Sequence, residues 1–293
     1  MEAVYRDYKN KNVDFYFVYK TLAHPEGNGF VNPATLDERL MHAQKASESL
    51  GTTIPWIVDT MDNQLKHAMG DRNNSEFIVG PDGRIVRMRD WSNPELVRAD
   101  LVELVGPVQN PTDPRSLNLK INFNQTEVAR GVVDRIQKAG QMTAVKIEAT
   151  ATQSAAYVKL RAEADAGLLR SGTGKLYLGF FVDPLHRVHW NNQAGPVSIT
   201  VNGESYTGPF VIAAADADPR EFVIDVSAKA PIHVKLMYVG CNDNETWCRE
   251  LTQEFVVSLE IDKDAGRVMS RRGGSGGQSP GRGGRRQRPG GGQ

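Results

Sequence analysis

The stretch DFYFVYKTLAHPEGNG, residues Asp14–Gly29, holds the reading on which the fold turns. Its aromatic and apolar run over Asp14–Lys20 predicts a buried strand, and the chain turns polar at Ala23-His24-Pro25. That switch places His24 at the C-terminal edge of the strand, the edge at which α/β sheets bind ligands. Upstream, AVYRDYKNK reads as the end of a helix. Downstream, NPATLDERLMHAQKASESLG reads as a helix that starts at Asn32-Pro33 and stops at Gly51. IPWIVD is a short strand, and NQLKHAMG a short helix closed by Gly70. SEFIVGPDGRIVRMRD has two apolar runs about Gly80-Pro81-Asp82-Gly83, a hairpin signal. NPELVRADLVELVG predicts a helix capped by Asn93 and ended by Gly106. Strand–helix–strand–strand–helix order over residues 1–108 predicts an open α/β sheet.

Residues 109–117 overlap the proline-rich PVQNPTDPRS, residues 107–116, and read as a linker. From 118 to 264 the chain predicts a helical lead-in, QTEVARGVVDRIQKAG, and then about seven short strands from Tyr157 onward. Gly, Pro, Asn and Asp turns separate these strands, which is the pattern of a β-sandwich. Residues 265–293, rich in arginine and glycine, predict a disordered tail because they have nothing to bury. The fold class expected is therefore α/β plus β.

At 293 residues the chain can hold two domains with cores of their own. No apolar run reaches the roughly 18 residues that span a bilayer, and Met1 is followed by no apolar leader segment. The formal net charge is zero, yet seven arginines and no acid fall after residue 266, so the body is acidic. An acidic body does not favour nucleic acid as a partner. Arg-Gly-Gly at Arg272 and Arg282 lacks the interleaved aromatics that stack bases.

Only two cysteines occur, Cys241 and Cys248, so no thiol chemistry originates in the first 240 residues. Cys241 ends one strand and Cys248 begins the next, across the polar turn NDNETW. Opposed hairpin positions bring Cα atoms within about 5.5 Å, which suits a disulfide. The alternatives are a structural bond, an exchanging redox pair, or two reduced thiols. Asp59, Asp62 and Asn63 in VDTMDN have too few carboxylates and no histidine for a metal. Turn formation and helix capping by Asp62 and Asn63 explain that motif better. His186 and His189, three apart on a strand, face opposite sides and do not make a metal pair.

VDFYFVYKTLAHPEGNGF, IPWIVDTMDN, EFIVGPDGRIV and PELVRADL together resemble the iodothyronine deiodinase family of the thioredoxin superfamily, over residues 1–105. The resemblance implies a thioredoxin-like sheet and a selenocysteine or cysteine nucleophile on a strand and helix start preceding the matched region. The domain is then expected to be truncated at its N-terminus, with that nucleophile upstream of Met1 and the chain inactive as written. His24, in the A-H-P element, would serve as proton donor or nucleophile partner, a role suited to a group that titrates near neutral pH. Asp59, Asp62 and Asn63 would support it. Thr21 and Leu22 stand where the family usually has acids, and Asn74 and Ser75 where it has Glu-Arg, so the iodothyronine clamp is not implied.

GKLYLGFFVDPLHRVHWNN and VKLMYVGCNDNETWCRELTQEFVVSLEI are similar, over residues 155–262, to the N-terminal immunoglobulin-like domain of the thiol–disulfide interchange reductases. That likeness implies an immunoglobulin-like sandwich in which Cys241 and Cys248 pass electrons. The two resemblances imply a thiol- or selenol-dependent oxidoreductase without cofactor, supplied by a thiol reductant or a partner redox protein. Its small-molecule substrate is not specified. A disulfide implies an exported or periplasmic location, and a chain complete as given a cytoplasmic one. The alternative is a non-catalytic binding or scaffold protein built on redox folds.

Overall fold

The computed structural model describes residues 1–26, 30–119, 131–138, 140–150, 156–227 and 231–267. The first half runs α1 (Glu2–Tyr8), β1 (Phe17–Tyr19), α2 (Leu36–Leu50), β2 (Trp56–Val58), α3 (Gln64–Ala68), β3 (Glu76–Val79), β4 (Ile85–Arg89) and α4 (Pro94–Val105). Helix α2 begins later than Asn32-Pro33 because Thr35 caps it. The Thr35 hydroxyl accepts from the Glu38 N–H, and the Glu38 carboxylate accepts from the backbone of Ala34 and Thr35. Gly51 ends it in the left-handed region at φ 59°. Asn93 caps α4 through the N–H groups of Glu95 and Leu96, as its sequence predicts.

The strands of this half do not form one open sheet. β1 pairs in parallel with β2, Phe17 opposite Trp56, and β3 pairs antiparallel with β4 about the Gly80–Gly83 turn. Among the described residues the two pairs remain separate two-stranded sheets. Val4 and Tyr8 of α1 and Val97 and Leu101 of α4 form a small core, while Val18, Ile57, Val79, Ile85 and Met88 are exposed.

The second half contains β5 (Thr143–Ala149), β6 (Val158–Ala164), α5 (Ala166–Ser171), β7 (Thr173–Val182), β8 (Val188–Asn191) and β9 (Ser198–Val201). It continues with β10 (Glu204–Thr207), β11 (Ala215–Asp216), β12 (Arg220–Ser227), β13 (Ile232–Asn242) and β14 (Cys248–Ile261). These ten strands make one antiparallel sheet in the order β10-β9-β13-β14-β5-β6-β7-β12, with β8 on β13 and β11 on β8. Strand β5 pairs with β14 on one side and β6 on the other, so the sheet is continuous rather than divided in two. It curls around one core to which Leu176, Leu178 and Phe180 of β7 and Ile199, Leu236 and Phe255 from β9, β13 and β14 all contribute.

One expectation fails here, and one boundary moves. Residues 131–138 are not helical; they lie along the sheet, where Val133 N–H donates to Asp218 (2.9 Å) and Arg135 grips Glu221 (2.7 and 2.8 Å). The remainder of that lead-in, 120–130, lies outside the described residues. Ala265–Arg267 return to the first half, with Ala265 buried and Arg267 N–H donating to the Ala23 carbonyl (2.9 Å). The rest of the expected tail, 268–293, is outside the described residues. No helix among those described is long and apolar enough to cross a membrane.

Candidate functional site

The β13–β14 hairpin sets Cys241 directly opposite Cys248, and the two form a disulfide with Cα atoms 4.1 Å apart. The neighbouring pair carries the backbone bond, Asn242 N–H to Trp247 O at 3.2 Å, so the cysteines occupy the closer, non-hydrogen-bonded position. This is why their spacing is shorter than the sequence-based expectation. Alternation along β13 buries Ile232, Val234, Leu236 and Tyr238 in the core and turns Cys241 to the opposite face. There Cys241 is only 3% exposed, whereas Cys248 is open to solvent. On its other side Cys241 faces His189 of β8, its cross-strand partner. Cross-strand side chains stand about 4.5–5.5 Å apart at Cβ, so the imidazole lies beside the disulfide. His189 Nδ1 lies 3.4 Å from Asp243 Oδ1. Trp247 flanks the turn, stacked between Tyr157 and the Arg249 guanidinium.

His24 is exposed, and its Nδ1 lies 3.4 Å from the carbonyl of Arg267. Its recorded contact is thus backbone of the returning C-terminal segment. Asp59 is buried and, not Asp62 or Asn63, caps α3: its carboxylate accepts from the N–H groups of Thr60 (2.9 Å), Leu65 (3.0 Å) and Lys66 (2.9 Å). Asn63 holds the N-cap position in the left-handed region, φ 56°, without a cap bond. Its amide instead ties three segments together, accepting from Thr21 N–H and Arg39 and donating to Asp264 (3.0 Å). Asp62 is exposed and accepts from Gln64. The structure therefore joins Asp59 and Asn63 through Arg39, which bonds the Asp59 carbonyl and the Asn63 side chain. It places Asp62 and the cysteines elsewhere.

The halves meet through buried charge. Lys159 of β6 bonds Glu38 of α2, and His186 Nε2 lies 3.0 Å from the same carboxylate. Burial pushes Glu38 up, but the His186 bond and the Lys159 charge outweigh it and hold the carboxyl at about 2. Burial raises the neighbouring Asp183. His186 sits on a 3₁₀ turn, Pro184–His186, rather than on the strand with His189, so the two histidines have separate surroundings. Glu38, Asp183 and His186 have metal-ligand spacing, as do His67, Asp71 and Asp264. In each group a lysine ammonium already supplies the positive charge, Lys159 in the first and Lys66 in the second.

Above β6 a cleft of about 530 Å³ opens between the halves, lined by Glu26, Asn32 and Arg39 on one side and Arg161 and Phe181 on the other. Glu26 and His189 were not singled out for a role by the sequence. A strand alternating Lys159, Arg161 and Glu163 with apolar residues reads as half solvent-facing, yet all three are buried. No protein-family model matches the chain, and no curated protein matches it.

Proposed function

We propose that the chain is a thiol-dependent oxidoreductase whose working redox group is the Cys241–Cys248 pair. The observation that carries this reading is the asymmetry of the bond: Cys248 faces solvent while Cys241 is buried beside His189. A thiolate of the reductant attacks the Cys248 sulfur, the S–S bond breaks, and Cys241 leaves as a thiolate that takes a proton from His189. A second reductant thiol then resolves the mixed disulfide, giving oxidised reductant and two protein thiols. Two electrons pass, and the reverse sequence oxidises a dithiol partner.

The deiodinase-like resemblance of residues 1–105 supports the same reductive class, with His24 as proton donor in that half. A disulfide in regular use places the protein in an oxidising compartment, exported or periplasmic. The test is exchange of the native protein with glutathione, followed by mass spectrometry. With oxidised glutathione, a Cys241→Ser variant is expected to form a mixed disulfide on Cys248 with release of one reduced glutathione, and Cys248→Ser to react far more slowly at Cys241. A bond that resists millimolar dithiothreitol until the protein unfolds would sink the proposal.

A further inference from the structure

The cleft between the halves holds a carboxylate, Glu26, with one buried oxygen that has no hydrogen-bond partner among the described residues. The Glu26 side chain is 8% exposed. Its Oε1 lies 3.9 Å from Arg161 Nη1, beyond hydrogen-bond reach, and its Oε2 is buried without a partner. Arg161 directs its recorded bonds elsewhere, to Glu163 (2.7 Å), Ala265 O (2.9 Å) and Gly266 O (3.3 Å). Lys159, the other cation on β6, is held by Glu38 and the Ala156 carbonyl (2.6 Å). Asn32 repeats the pattern: its amide donates to Ala265 O (3.3 Å), leaving a buried Oδ1 without a donor. Glu26 N–H bonds the Phe30 carbonyl (2.6 Å).

Two buried acceptors without donors are costly, because each loses its water and gains nothing in return. A ligand that supplies N–H groups removes both deficits, and a positive one also compensates the carboxylate charge. An ammonium has three donors and no acceptor, which matches two oxygens. The rest of the lining is mixed, with apolar Val31, Ile147, Leu160 and Phe181 beside the charged Lys146, Glu148 and Asp262. The volume of about 530 Å³ falls in the range of small-molecule sites. Burial raises Glu26 to about 7 against the opposing charges of Arg161, Arg135 and Lys138, so the group is only partly ionised near neutral pH.

We propose that this cleft binds a small primary amine with an apolar body, its ammonium held by Glu26 and Asn32 and its body lying along Ile147, Leu160 and Phe181. The site is separate from the disulfide, and its occupancy does not depend on the redox reading.

Calorimetric titration of the full chain at pH 8 tests it, with phenethylamine as probe and 2-phenylethanol and phenylacetate as uncharged and anionic counterparts. Saturable binding of the amine alone is expected. Glu26→Gln removes a buried charge rather than creating one, so the fold is retained; it is expected to weaken the amine at least about tenfold, the loss of a charge-assisted bond. Replacing both cysteines by serine is expected to leave amine binding unchanged. Absence of saturation by about 10 mM amine, equal binding of alcohol or carboxylate, or undiminished binding to Glu26→Gln would each overturn the proposal.

Discussion

Lys159 of β6 and Glu38 of α2 meet 2.5 Å apart across the junction of the two halves, with side chains 7% and 8% exposed. A buried pair of this kind is strongly destabilising to break on one side only, because the survivor keeps its desolvation cost without compensation. Lys159→Met is expected to cost about 3 kcal/mol, since Glu38 retains its charge and loses its one lysine, keeping His186 and the N–H groups of Ala34 and Thr35. Glu38→Gln is expected to cost less: glutamine keeps the capping box with Thr35, and Lys159 keeps Asp183 at 3.6 Å. Chemical unfolding of both variants and the double variant gives the coupling. Equal losses in the two single variants would contradict this account.

Three buried groups shape the response to pH, with opposite signs. Glu38 falls from 4.5 to about 2 on folding, so its stabilisation is present above pH 4.5 and is lost as pH falls toward 2. His42, fully buried between Phe30 and Tyr19, falls from 6.5 to about 4 through burial, so stability is lost as pH falls through that window. Glu26 rises from 4.5 to about 7, so its contribution is greatest below pH 4.5 and is lost as pH rises to 7. Each shift corresponds to roughly 3 kcal/mol at most. Stability is expected to climb from pH 2 to 4.5 and then run level to 6.5, where His42 and Glu26 offset each other. Glu26→Gln should make the climb continue to pH 6.5, and His42→Leu should turn the level stretch into a decline. Urea midpoints across this range would expose any failure of that pattern.

Gly266 fixes how the returning C-terminal segment seats against the A-H-P element. Its φ is +69°, and a Cβ there would lie 2.4 Å from Pro25 Cδ and 2.6 Å from the Leu22 carbonyl. Neither neighbour is the end of a flexible side chain. Gly266→Ala is therefore expected to lift the segment and cost about 1–3 kcal/mol. Amide hydrogen exchange should rise at Arg267, whose N–H donates to the Ala23 carbonyl. Unchanged protection there would show that the segment tolerates the methyl group.

What could be read from the sequence was local, and what could not was distant in the chain. Gly51, Asn93, the Gly80–Gly83 turn and the opposed cysteines each act within a few residues, so residue type alone reveals them. The α2 start was displaced because Thr35 and Glu38 form a stronger cap than Asn32-Pro33. Strand β5 escaped notice because Val145 and Ile147 alternate with Lys146 and Glu148 just after a stretch with helical spacing. The charged side of β6 looks solvated until the first half covers it, and Glu38 and Lys159 are 121 residues apart. Nothing in either segment alone marks that contact.

Asp59 and Asp62 divide their roles in a way that substitution can separate. Asp59 is buried and accepts from the N–H groups of Leu65 and Lys66 at the start of α3 and from that of Thr60 before it. Asp59→Ala is expected to cost about 1–2 kcal/mol, as for other helix caps. Asp62 bonds the side chains of the neighbouring Thr60 and Gln64 at the surface, so Asp62→Ala is expected to leave the melting temperature nearly unchanged. Reversal of that order in thermal unfolding would restore capping to Asp62.

The last expectation concerns His189, which faces Cys241 across β8 and β13. If the imidazole protonates the departing Cys241 sulfur, its removal slows exchange without loosening the fold. His189→Phe keeps a ring of similar size beside the disulfide, in a side chain now only 16% exposed. The rate of reduction by glutathione at pH 7 is expected to fall at least about tenfold, toward the lower end of general-acid contributions. The melting temperature of the oxidised protein should remain the same. A general packing role predicts the opposite signature, a lower melting temperature with an unchanged rate. Stopped-flow reduction and thermal melts of both proteins distinguish the two. An unchanged rate would remove His189 from the exchange step and leave the Cys248 exposure as the sole support for turnover.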